Sequence, residues 1–180
     1  AAERQADEEV RFTVALSSDL VGGDLGDQDL HELYLRGKAL TSAKLDRSVL
    51  AGVDLQNANL HGASLNGAQL NGADMRGVDL SSADLHHAAL VGAVLSGATL
   101  SEARLVHADL TKASLTGLGK ADGITMSRAN LQDADLADVN LSGVAAPFTN
   151  GRGINASGID LRDGDLSCAD LRHACFANAD

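Results

Sequence analysis

The chain has 180 residues, 44% of them hydrophobic, enough for one domain with a core, yet aromatics make up only 2% and Leu and Ala carry the apolar content. Its formal net charge of −11 argues against direct nucleic-acid binding, because phosphates would be repelled, and favours a protein partner with a basic surface. No run approaches the ~18 apolar residues of a membrane span and no charged-then-apolar signal segment opens the chain, so membrane insertion is not expected.

An acidic leader, residues 1–17, comes first, with Phe12, Val14 and Leu16 near its end. A repeat region occupies residues 18–180. The three leader residues are expected to cover its first coil, since the end of a stacked structure presents unpaired strand edges. From Leu20 to Leu115 every fifth residue is Leu, with Met75 the one exception. Take that residue as position i. Position i−2 is Ala at Ala43, Ala58, Ala63, Ala68 and Ala73, and in steps of five from Ala83 to Ala113. Position i−1 is Asp or Asn in Asp54, Asn59, Asp74, Asp79, Asp84 and Asp109, and i+2 is often Gly, as in Gly62, Gly67, Gly72 and Gly77. Near the N-terminal end i−2 is instead Ser18, Gly23, Gln28, Leu33 and Lys38, poor residues for a tight interior.

A helix cannot use this pattern. Five residues advance about 500° around a helix, so successive leucines would spiral and leave no apolar stripe. A strand can: i−2 and i point to one face while i−1 points to the other. Positions i+1 and i+2 are polar or Gly, so the chain turns there. Each repeat is a three-residue strand plus a corner, and only stacking of repeats builds a core. Of 32 repeats from Leu20 to Phe176, 14 carry Gly at i+2.

The phase slips by one residue across 116–125 and resumes at Met126, Leu131, Leu136 and Leu141. From Val144 to Ala156 the pattern weakens: Ala146, Gly151 and Ala156 stand where Leu belongs, and Pro147 intervenes. Either the large Ile154 and Ile159 at i−2 compensate, or a loop bulges out. Leu161, Leu166, Leu171 and Phe176 restore the repeat, which stops in mid-unit at Ala179-Asp180. That uncapped end reads as a truncation or as an end covered by another chain, with end-to-end pairing of two rods as one form of the latter.

Segments such as Ala58-Asn59-Leu60-His61-Gly62, Ala73-Asp74-Met75-Arg76-Gly77 and Ala83-Asp84-Leu85 resemble the A(D/N)LXX signature of the pentapeptide-repeat family. The resemblance implies an all-β fold, a right-handed quadrilateral parallel β-helix with four repeats per coil. The 32 repeats then make about eight coils, a rod roughly 40 Å long at ~4.8 Å per coil. Some members of that family resemble duplex DNA in shape and charge, bind type II topoisomerases such as gyrase, and protect them from quinolones or peptide toxins. This sequence departs from those members. It has Leu nearly throughout where they mix in Phe, and it lacks their dimerising helix and aromatic contacts. The reading is therefore a non-catalytic rod for protein–protein interaction, with DNA mimicry as the alternative.

No catalytic, cofactor or metal motif is legible. Gly151-Arg152-Gly153 lacks the Gly-Lys-Ser/Thr and following helix of a phosphate loop, and most carboxylates sit at i−1, where the repeat itself accounts for them. Cys168 and Cys175 fall on different sides of the rod, too far apart for a disulfide, and read as thiols of a reducing, cytoplasmic setting, with an exported or effector fragment as the alternative. With four repeats per coil, residues twenty apart stack. His87 and His107 then lie one above the other at the corner of Arg47 and Arg128, near His86 and Arg104. Two imidazoles without a third ligand make a weak metal site; the pair reads first as solvent-exposed variable positions, with a pH-sensitive basic strip for a partner as the sharper minority reading. On the Leu20 side, Asp19, Asp79, Glu102, Asp122, Asp160 and Asp163 outweigh Lys120 and Arg162 to a net −4, an acidic candidate surface. Another side gathers Val49, Ala51, Ala89 and Val91 as a small apolar patch.

Overall fold

The computed structural model describes residues 19–31 and 33–180. The leader, with Phe12, Val14 and Leu16, lies outside the described residues. From Asp19 onward the chain is a four-sided coil. Residue i−1 of each repeat forms a parallel bridge with the residue twenty further on, as in Asp19↔Ala39, Asn59↔Asp79 and Asp84↔Arg104. Twenty residues are four repeats, so the four sides follow from register alone. Each side is a ladder of three-residue strands stacked along the rod.

The repeat disposes of its five backbone N–H groups in a fixed way, which is why five residues suffice. Around Leu80, Val78 N–H donates to the Met75 carbonyl at 3.2 Å and closes the corner. Asp79 N–H reaches back to Ala58 O at 3.0 Å, while Leu80 N–H and Ser82 N–H reach forward to Thr99 O and Ser101 O, both at 2.8 Å. That leaves Ser81 N–H at i+1, and the carboxylate of Asp79 accepts it at 2.9 Å. The same bond joins Asn59 to His61, Asp109 to Thr111 and Asn140 to Ser142. The Asp or Asn of the signature is thus the acceptor for the one N–H that the ladder cannot use. Where i−1 does not accept, a neighbouring coil can step in: Asp46 takes Asn66 N–H at 2.9 Å and Asn71 takes Val91 N–H at 3.0 Å.

The corner has one backbone shape. Every described i+2 residue has positive φ: 14 glycines, and 17 residues that are not glycine, from Asp27 to Asn178. A turn closed from i+3 to i with positive φ at its third residue has the signs of a type II turn.

Inside, Leu or Met at i is fully buried from Leu45 to Leu115, and so are the i−2 residues, Ala in most repeats. Ser48 and Thr149 occupy i−2 positions and are buried without loss, because each hydroxyl donates to the carbonyl three residues back, at 2.7 Å. A tube this narrow gains its stability from stacking small and large side chains in alternation, about 1.5–3 kcal/mol for each buried Leu.

The irregular stretches resolve differently. Past Leu115 the bridge offset becomes 21, in Arg104↔Thr125, Asp109↔Asn130 and Ser114↔Asp135, and returns to 20 at Thr125↔Ala145. One extra residue is absorbed at a corner, and the sides continue in line. Between Val144 and Ala156 no loop bulges: the bridges Thr125↔Ala145, Asn130↔Asn150 and Asp135↔Asn155 keep the register. Ile154 and Ile159 are buried and fill the tube. A methyl on Gly151 would sit 2.7 Å from Leu171 Cδ2, so the leucine of the next coil already occupies the room left by the missing side chain. In the last coil Leu161, Leu166 and Leu171 are half-buried and Phe176 is 37% exposed. An apolar recess of about 30 Å³ opens there among Leu141, Ile159, Leu161 and Phe176, room for little more than one water.

Candidate functional site

Every outward side chain belongs to a column in which neighbours are one coil apart, about 4.8 Å. Two columns hold the residues singled out in the sequence.

At the corner after Leu25, Leu45, Leu65, Leu85, Leu105 and Met126, the column runs Asp27, Arg47, Gly67, His87, His107, Arg128, Phe148, Cys168. His87 and His107 stack, with ring centroids 4.9 Å apart and an interplanar angle of 12°. His86 stands edge-on to both, 4.5 Å from His87 and 5.7 Å from His107. The Arg128 guanidinium lies 5.3 Å above the Phe148 ring. Arg47 does not join this group. Its guanidinium is spent on Asp27 through two 2.6 Å bonds, and Gly67 separates it from His87. Arg104 pairs with Asp84 at 3.7 Å.

His107 is the strained member electrostatically. Loss of water around its stacked ring, and then the positive charge of His87, Arg128 and His86, hold its pKa below the ordinary histidine value. Among the described residues no group of three His, Cys, Asp or Glu is arranged to hold a metal ion. Phe148, 55% exposed and in the left-handed region at φ 59°, was not singled out by sequence reasoning. The signal was there: it is twenty residues beyond Arg128. It sits in the stretch where the repeat looks broken.

The acidic candidates are less free than their charge suggests. Asp79 is half-buried and holds the Ser81 N–H. Burial pushes its carboxyl up, but the Ser81 hydroxyl and N–H and nearby His61 outweigh that and hold it below the ordinary range. Asp160 is clamped by Arg162 at 2.9 and 2.6 Å, which brings its pKa down to about 2. Glu102 accepts the Ser82 hydroxyl at 2.9 Å. Asp122 and Asp163 are exposed. The side is acidic, but Asp79 and Asp160 serve the corners first.

The apolar patch is not continuous. Gln69 and Asn71 lie in the coil between Val49, Ala51 and Ala89, Val91, and of the four apolar residues Val91 alone is exposed, at 37%. Cys168 and Cys175 are both exposed and unpaired. Ser157 Oγ lies 3.3 Å from Cys175 Sγ, and that hydroxyl, with the Ala177 N–H, lowers the thiol's pKa.

A family model described as pentapeptide repeats matches the chain in eight copies, over residues 43–81, 79–117, 120–144 and 152–180. No curated protein matches. Among solved structures, a trypsin-treated variant of QnrB1, a plasmid-mediated fluoroquinolone resistance protein, aligns with a TM-score of 0.68 at 19% identity, covering 89% of this chain and 78% of that one. Full-length QnrB1 gives 0.53 at 16% identity, over 89% and 92%. HetL, involved in heterocyst differentiation regulation in the cyanobacterium Nostoc sp. strain PCC 7120, is 26% identical over 90% of this chain and 82% of its own, with a TM-score of 0.35. At their identities the two QnrB1 likenesses show the fold: a right-handed quadrilateral β-helix.

Proposed function

The chain belongs to the pentapeptide repeat family, and from that premise we propose that it works as a non-catalytic interaction rod, docking a partner protein along one of its sides. The observation that carries this is the constancy of the bridge register. The backbone and the inward residues are spent on the ladder and core, and the outward columns are what remains to vary. A rigid column presents charges at fixed spacing with little entropy left to lose on binding. The Leu20 side, where the six candidate acids are joined by Asp180 against Lys120 and Arg162, suits a basic surface and would steer its approach.

The test combines Asp79→Asn, Glu102→Gln and Asp160→Asn. At 79 and 160 Asn keeps an acceptor for the corner N–H, and the Arg162 clamp on Asp160 is exposed, so the fold should hold at neutral pH. A partner captured from the host by the unaltered chain should associate more slowly with this variant, and the difference should shrink at high salt, where exposed charges are screened beyond ~8–10 Å. Equal association rates would sink the acidic side as the docking surface.

A second reading, capture of a type II topoisomerase in place of DNA, is favoured by the net negative charge and the rod shape, while a length of little more than one DNA turn of ~34–36 Å counts against it. Gyrase supercoiling titrated with the chain at two salt concentrations decides it. No inhibition or protection at low salt removes this reading and leaves the general one.

A further inference from the structure

We infer that the corner formed by His86, His87, His107, Arg128 and Phe148 is a second docking site, and that it takes a short acidic, extended segment of a partner protein. The inference rests on the reading of the chain as an interaction rod, and adds a site whose charge is opposite to that of the Leu20 side.

The geometry supplies the chemistry. His87 and His107 stack face to face along the rod, and the Arg128 guanidinium carbon covers the face of the Phe148 ring. What they turn outward is their edges: imidazole N–H, guanidinium N–H and the rim of the phenyl ring. Ring edges carry the positive end of the aromatic quadrupole, so all four column members present the same sign to solvent. Arg128 has no carboxylate partner among the described residues, unlike Arg47 on Asp27 and Arg104 on Asp84. The other carboxylates near this corner are also engaged. Asp46 holds Ser64 and Asn66, and Asp109 holds Thr111 and Asn130.

Backbone conformation does not set this corner apart, since 13 other non-glycine residues hold the same angle; what does is the exposure of Phe148. His87, His107, Arg128 and Phe148 have φ between 58° and 61°, at a corner position that 14 glycines occupy elsewhere without steric cost. A phenylalanine held there and 55% exposed gains nothing for the core.

The dimensions select the ligand. From His87 to Phe148 is three coil steps, about 14 Å, which about four residues of extended peptide span at ~3.3 Å each. Alternate side chains of such a peptide face one way, so two or three carboxylates meet the column. A nucleic acid would overrun this strip onto flanking Asp46, Asp84 and Asp109, in a chain of net charge −11.

Binding at this corner is linked to protons. His107 resists protonation first because its stacked ring has lost water, and then because His87, Arg128 and His86 crowd it with positive charge. A bound carboxylate relieves that repulsion, so binding takes up protons and tightens as pH falls from 7.5 to 6.0.

The probe is a fluorescein-labelled peptide of alternating Glu and Ala, followed by anisotropy at 50 mM salt, beside a Lys/Ala peptide and an oligothymidylate. The unaltered chain should bind the Glu/Ala peptide, more tightly at pH 6.0. His107→Gly and Arg128→Gly should each weaken it about tenfold, the loss of one charge-assisted bond. Both variants place Gly where the corner favours it, so their melting points should hold or rise, and Arg128→Gln offers a second route that keeps side-chain length. Lys112→Gly, a cation removed from another corner, should leave binding unchanged. The inference is overturned if the Glu/Ala peptide does not bind, if Lys112→Gly weakens it as much as Arg128→Gly, or if the oligothymidylate binds as tightly. None of these results touches the acidic-side docking surface, which stands or falls on the Leu20-side variants.

Discussion

His107 at φ 61°, Lys112 at 58° and Glu102 at 61° hold the same corner angle as Gly92 at 66°. The ladder imposes that angle from both neighbouring coils, since the i+2 N–H must reach the next coil's i+1 carbonyl, as Lys112 does to Gln132 at 2.9 Å. A side chain in the left-handed region costs about 1–2 kcal/mol, against the ~0.5–1 kcal/mol that glycine's extra unfolded freedom costs. Lys112→Gly should therefore stabilise the chain, by up to about 1 kcal/mol, seen as a higher urea midpoint. A fall would mean that the Lys112 stem packs on the rod more than its exposure suggests. The rule has a limit set by space. A methyl on Gly153 would meet Asp133 Oδ1 at 2.4 Å, and one on Gly158 would meet Asp138 Oδ1 at 2.2 Å. At those corners a side chain would also have to push aside the carboxylate of the acid one coil before it.

At the scale of one repeat, the five N–H destinations explain what the signature residues do. Asp79→Ala strands the Ser81 N–H and should cost about 1 kcal/mol, while Asp79→Asn keeps an acceptor oxygen and should cost little. Equal losses in the two denaturation curves would show that charge, not the bond, is what matters there. The interior is less forgiving. Leu65→Ala or Leu85→Ala should cost about 2–5 kcal/mol, because a tube held by its own ladder cannot collapse around a void. Ala68→Leu should overpack it by about 1–3 kcal/mol. Unchanged midpoints for both kinds of variant would contradict the packing account. This scale also shows what could be read from sequence. Leu at i and Ala at i−2 were legible because a five-residue period tolerates no other assignment of inside and outside. The stack of His87 on His107 was legible once twenty residues were taken per coil. The compensation at Gly151 was not, because the side chain that fills its place, Leu171, belongs to the next coil and lies twenty residues away. Phe148 was passed over for a related reason: its neighbours Ala146 and Gly151 break the leucine pattern although the backbone register there is intact.

Across the whole molecule, carboxylates held by arginines or by corner N–H groups make stability depend on acid. Arg76 beside Asp74, Arg172 beside Asp170, Arg162 beside Asp160 and the Ser167 N–H on Asp165 hold these carboxyls below the usual range, Asp160 at about 2. Ionised, they favour the folded chain at any pH above the ordinary aspartate value near 4. That contribution is lost as pH falls from about 4 to about 2, where the folded chain must take up protons it binds more weakly than the unfolded one. Urea midpoints should be steady from pH 7 to 5 and drop between 4 and 2, and Arg162→Gln should make the drop shallower. A midpoint that rises on acidification would refute the assignment.

The single six-residue step at Leu115–Ala121, absorbed without turning the sides, has a counterpart in what a shorter change would do. Each repeat is a quarter revolution, so the chain length between two residues acts as an angular index. Removing residues 93–97 would leave the periodic interior continuous, yet every later column would arrive one side early. Lys112 would then stand over His87 in place of His107, and Arg128 and Phe148 would face another direction. Removing twenty residues, 88–107, would instead shorten the rod by one revolution and keep all later columns on their sides. Length change in this architecture is therefore silent in whole revolutions and a rotation of surface identity in any other number of repeats.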